Sequence, residues 1–350
     1  MDSHPARRIR PMSSKREPVF YLDLLRVVAA VAVIIIHVLG PYRDLYGQIP
    51  MSDWLTAVTF NSFSRWCVPI FIMITGMLFL SDKRPFDLDY FLRRRVMKVL
   101  VPFLFWAVFY SFLAGLTPTF DYQWTRAIDT LKELPYESTW YHLGFYYYFI
   151  PLYLVIPFLR PAVHTMPDDL LKFMAGVWLW LTLSYLIRIE TFWHINTLLY
   201  GGYLIWGYCL AKYDTRKHQP LIIAGGIIGL MLTLGGVLWL STDKGAYSFG
   251  RFNSYKTINT VLVATMVFCL AKHYGDRIQG RSKNIISMFS RYSLGIYLVH
   301  PLLLWPVRAY DLYPASAIIM IPFWTVVTLL ASTAFVWLLS RSRLTHWMVP

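Results

Sequence analysis

Residues 21–39 read YLDLLRVVAAVAVIIIHVL, an almost unbroken apolar run that carries Asp23, Arg26 and His37. The run is long enough to cross a bilayer as a helix. Ionisable groups within such a span are costly to bury, so they mark function and demand partners. Arg26 and His37 are eleven residues apart. That is about three helical turns, so both side chains leave the helix on nearly one face, roughly 16 Å apart along its axis. Asp23, three residues before Arg26, shares that face. One stripe of an otherwise apolar helix is therefore polar along most of its length.

The remaining sequence is that of a membrane protein. Of 350 residues, 57% are hydrophobic and 15% charged. That balance excludes a water-soluble globule and implies an all-α polytopic helical bundle in a lipid bilayer. Ten transmembrane helices are expected, near 19–40, 54–80, 96–117, 140–159, 171–188, 196–211, 219–241, 257–272, 285–305 and 315–340. Residues 1–18 read as a disordered basic tail, 19–340 as one transmembrane domain, and 341–350 as a short cytoplasmic tail. The net charge of +14 does not point to nucleic acid, because the basic residues collect at the ends of spans. With both termini cytoplasmic, 22 Lys and Arg fall in cytoplasmic segments and 8 in outer ones. Membrane topology imposes this asymmetry. Cys67, Cys209 and Cys269 lie far apart in apolar segments without metal-ligand spacing, so neither a disulfide nor a metal centre is expected.

This topology assigns depths. His37 ends the first span, His142 begins the fourth and His300 ends the ninth, so all three reach a similar level near the outer face. Arg65 falls in the middle of the second span, four residues before Pro69. The missing N–H of Pro69 leaves the Arg65 carbonyl without its helical donor, which predicts a kink beside an internal polar cavity. Arg93, Arg94 and Arg95, with Lys98, open the third span on the inner side. They read either as a topological stop or as an anchor for phosphates, which guanidinium groups hold through paired hydrogen bonds. Each candidate has an ordinary alternative. Arg26 would snorkel to the headgroups. His37 would be an idle interfacial histidine, His142 part of an aromatic belt and His300 a structural residue before Pro301.

Five stretches together resemble one family. They are YLDLLRVVAAVAVIIIH (21–37), with ten residues between its arginine and its histidine, SRWCVPIFIMITGMLFL (64–80), with Thr75-Gly76, FLRRRVMKVLVP (91–102), YHLGFYYYFIPLYLVIPFLRP (141–161) and FSRYSLGIYLVHPLLLW (289–305). In content and order they resemble the acyltransferase-3 family, the multi-span O-acyltransferases of bacterial surface glycans. One departure is Gly144, where the family commonly has tryptophan. The chain resembles most the short members that acetylate enterobacterial common antigen, and also proteins assigned to export or succinylation of poly-N-acetylglucosamine. The resemblance implies an O-acetyltransferase of the bacterial inner membrane, with no bound cofactor. It would move an acyl group from acyl-CoA, most often acetyl-CoA, to a hydroxyl of a cell-surface polysaccharide or lipid-linked oligosaccharide. His37 would be the base, or else a nucleophile that carries the acyl group, with Arg26 holding the donor and Asp23 orienting Arg26. Arg65 would line the same cavity, Arg93, Arg94 and Arg95 would meet the CoA phosphates, and His142 and His300 would position the acceptor. The alternative is a polysaccharide or lipid-linked glycan exporter.

Overall fold

The polar-striped run folds as helix α1 (Phe20–Val38) in a computed structural model that describes residues 19–189 and 191–350. The expected tail at 1–18 lies outside the described residues. A single turn, α2 (Gly40–Arg43), follows. The second span is two helices, α3 (Met51–Ser64) and α4 (Cys67–Leu80), broken at Arg65 and Trp66. The break falls where Pro69 withholds its donor, and the ladder resumes with the Ile70 N–H donating to the Trp66 carbonyl at 3.2 Å.

The third span is continuous through α5 (Leu88–Phe91), a π-turn at Leu92–Val96 and α6 (Met97–Ala114). Beyond it lie an amphipathic helix, α7 (Trp124–Glu133), then α8 (Gly144–Thr165), α9 (Asp168–Leu186) and α10 (Asn196–Lys212). The chain continues through α11 (Gln219–Lys244), α12 (Ile258–Tyr274), α13 (Gly280–Ala309) and α14 (Ala317–Arg341).

Among the described residues there is no strand, and the protein is an all-α polytopic bundle. Seven helical stretches are long and apolar enough to cross a membrane. The other three expected spans are the helices α9, α10 and α13. The first opens on Asp168 and Asp169, the second has only 17 residues, and the third carries Arg281, Lys283, Arg291 and Arg308. The fourth span runs from residue 144 to 165 rather than 140–159, because Pro151, Pro157 and Pro161 are absorbed without ending the helix.

α1 lies at the centre, packed on α13, α4 and α14. α4 and α10 meet backbone to backbone. A Cβ at Gly76 would collide with the Leu204 carbonyl, and one at Gly207 with the Met73 carbonyl. Gly207→Leu is accordingly expected to destabilise the bundle by about 2 kcal/mol or more. At Gly235, which has open space around it, the same change is expected to be neutral. Thermal unfolding of the detergent-solubilised variants checks both.

Candidate active site

The functional groups of α1 are held by α13. Arg26 pairs with Asp23 at 2.9 Å. Asp23 also accepts hydrogen bonds from Ser290 Oγ at 2.7 Å and Ser287 Oγ at 3.2 Å. The carboxylate is thereby satisfied inside the bundle, and the guanidinium beside it is neutralised.

Arg26 faces a cavity of about 790 Å³ that opens at the end of the bundle where α1 begins. This is the basic end: Arg84, Arg94, Arg95, Lys98 and Arg160 also line it, against Asp82 and Asp87. The size suits a cofactor-sized ligand. Arg160 ties down the loop at the mouth, donating from Nε to the Asp82 carbonyl at 2.8 Å and from Nη2 to the Arg84 carbonyl. Arg84 is itself paired with Asp82. Among the described residues no ion pair is formed by Arg94, Arg95 or Lys98, so their charge is available to a ligand. Arg93 does not join them. It is turned away from the cavity and paired with Asp89 at 2.7 Å. The π-turn sets this division, since its wider winding shifts side-chain directions relative to an α-helix.

At the other end of α1, the three histidines converge. The His37 and His300 rings stack 5.2 Å apart at 29°, and His142 stands edge-on to His300 at 5.5 Å. His142 and His300 are buried at 2% and 0% exposure, whereas His37 is half-buried. His300 Nδ1 lies 3.1 Å from the Ile296 carbonyl. A carbonyl only accepts, so Nδ1 carries the hydrogen and Nε2 the lone pair. That Nε2, like both ring nitrogens of His142, is buried without a protein partner. The centre thus holds unused acceptor and donor capacity in an enclosed site.

Three groups here were not singled out by the sequence. Tyr141 packs 4.7 Å from the His37 ring, and Arg308 lies 4.7 Å over Tyr141. Arg308 Nη2 donates to the main-chain carbonyl of His37. Tyr297 packs 5.6 Å from His142 and 5.9 Å from His300, and its hydroxyl donates to the His142 carbonyl at 2.5 Å. Tyr141 and Tyr297 were within reach as neighbours of two chosen histidines, one adjacent to His142 and the other one helical turn before His300. Arg308 had no such signal beyond its place at the end of the same helix.

Tyr297 also ends the basic cavity. It lines the cavity together with Phe71, Phe145 and Tyr146, and none of the three histidines does. The cavity thus stops short of the histidine centre, and Tyr297 adjoins both, lining the one and packing on His142 and His300 in the other. Arg65 departs further from expectation, because it does not line this cavity. The break after α3 turns it toward the 250s loop, where Nε donates to the Asn253 carbonyl at 2.8 Å and the guanidinium lies 4.0 Å over the Tyr255 ring.

Residues 19–341 match the model of the acyltransferase-3 family, described as an acyltransferase domain. The chain belongs to the acyltransferase-3 family. It is similar to the "Putative membrane-bound acyltransferase YfiQ" of Bacillus subtilis (strain 168), with 20% identity over 300 residues, covering 79% of this chain and 78% of that protein. No solved structure matches. The cavity and the histidine centre are thus features of a multi-pass membrane acyltransferase.

Gly40 lets Arg308 reach His37, since a Cβ there would come within 2.9 Å of Arg308 Nη2. Gly40→Ala is expected to displace Arg308 and lower acyl transfer about tenfold, the scale of one lost charge-assisted hydrogen bond. The melting temperature should be nearly unchanged. Turnover and thermal unfolding, measured together, check this.

Proposed function

We propose that this acyltransferase takes its acyl group, acetyl in the simplest case, from acyl-CoA. We further propose that it delivers the group to a hydroxyl of a surface polysaccharide or lipid-linked glycan, from within the bacterial inner membrane. One observation carries the reading: a cationic cavity and a histidine cluster lie at the two ends of the same α1–α13 seam, and Tyr297 adjoins both. The excess of Lys and Arg around the cavity end supports placing that end, and both termini, in the cytoplasm, where CoA esters are made.

In this reading Arg94 and Arg95 bind the CoA phosphates. Arg26, neutralised by Asp23, guides the pantetheine arm along the seam. His37, the accessible histidine, takes the proton of the acceptor hydroxyl as its oxygen attacks the thioester carbonyl. The tetrahedral intermediate collapses, the carbon–sulfur bond breaks, and the departing thiolate recovers the proton from His37. His300 and His142 back the site and orient the acceptor. Export of glycan is less well supported, because the cavity is blind and ends in packed rings.

His37→Ala is expected to lower acceptor-dependent release of CoA from acetyl-CoA at least about a hundredfold, with insertion and protein level unchanged. Retained transfer contradicts the assignment of the base. Replacing Arg94 and Arg95 together with Gln is expected to weaken CoA binding at least about tenfold by calorimetry. Arg93→Gln, remote from the cavity, is expected to change it little.

A further inference from the structure

At the histidine end the chain builds a second polar cluster, to which the steps above assign no role. Its members form a continuous run of contacts. Arg43 lies 5.2 Å over the Tyr247 ring. The Tyr247 hydroxyl accepts from Asn61 Nδ2 at 3.2 Å and from Asn253 Nδ2 at 3.4 Å. The Asn253 carbonyl accepts from Arg65, which rests on Tyr255.

Two features of this run point to a ligand. Among the described residues Arg65 forms no ion pair, although it stands within the second span. A guanidinium at such depth is stabilised by an anion. Asn61 and Asn253 are buried at 0% and 2% exposure, and the Oδ1 of each lacks a partner. Buried amide oxygens with tyrosine rings beside them are the groups that hold sugar hydroxyls and sugar faces. Arg43, bound through two hydrogen bonds to Asp44, completes the rim from α2, the single turn that follows the His37 end of α1. The run is therefore continuous with the histidine end of α1, opposite the basic cavity.

We propose that this is the acceptor site, and that it selects a glycan bearing an anionic oxygen group. The anion pairs with Arg65, while Asn61 and Asn253 accept from sugar hydroxyls. The proposal rests on the glycan-acceptor reading above and narrows it to an acidic acceptor. The anion has two sources, a sugar carboxylate or the phosphate of a lipid carrier.

Calorimetry on the full chain in nanodiscs, saturated with CoA, tests it with three probes: digalacturonate, neutral digalactose and farnesyl pyrophosphate. At least one anionic probe is expected to bind about tenfold or more tightly than digalactose. The carboxylate and pyrophosphate arms tell which source the site prefers. Arg65→Gln is expected to reduce that preference to about twofold or less, and Arg65→Lys to restore part of it. Equal binding of neutral and anionic probes by the wild type overturns the proposal without any variant. So does a preference that survives Arg65→Gln, or one that appears only when CoA is left out, which would place the anionic probe in the basic cavity. Failure of the protein to bind CoA would instead count against the donor reading and leave the probe comparison readable.

Discussion

An ion pair of 2.9 Å between Asp23 and Arg26 underlies the arrangement of the site. An arginine inside an apolar helix is tolerated only with a counter-ion or a path to water. Here it has both, since Asp23 neutralises it and the basic cavity opens onto it. Two α13 serines bind the same carboxylate, one from 264 residues away. α1 is thereby locked to α13 at one end, while the stack of His37 on His300 joins them at the other. Arg26, His37 and His300 lie on that seam, and His142 packs against it.

The seam connects two compartments with different needs. In the proposed reading the cationic end meets the phosphates of a CoA ester, and the histidine end holds the acceptor hydroxyl where water competes less. Tyr297 keeps the two apart. Its ring is surrounded by Phe71, Phe145 and Tyr146 at 5.8–6.5 Å, and its hydroxyl is tied to the His142 carbonyl. On the proposed route the acyl arm would have to pass that ring, which would turn aside as the arm arrives.

Much of the fold was legible in the sequence, because apolar runs and charge asymmetry set spans and depths directly. Depth alone was enough to bring His37, His142 and His300 to one level, and they do meet. Direction around a helix was harder. Arg65 was read as facing the same cavity as Arg26, but the helix break beside it turns it to the 250s loop instead. Arg93, Arg94 and Arg95 looked equivalent as a run, and a π-turn invisible in the letters sends the first to Asp89 and the other two to the cavity. Arg308 was counted only as an outer charge. Its contact with the His37 carbonyl depends on how the last turn of α13 folds over Gly40, which no local pattern encodes.

A structure of the full chain in a lipid nanodisc, bound to an acetyl-CoA analogue whose sulfur is replaced by methylene, tests the shared seam most directly. The phosphates should lie on Arg94 and Arg95 and the arm should pass Arg26. Tyr297 should be turned aside, with the ketone carbon about 3.5 Å from an acceptor position beside His37. An analogue seated outside the basic cavity, or one whose acyl end stops below an unmoved Tyr297, would contradict it.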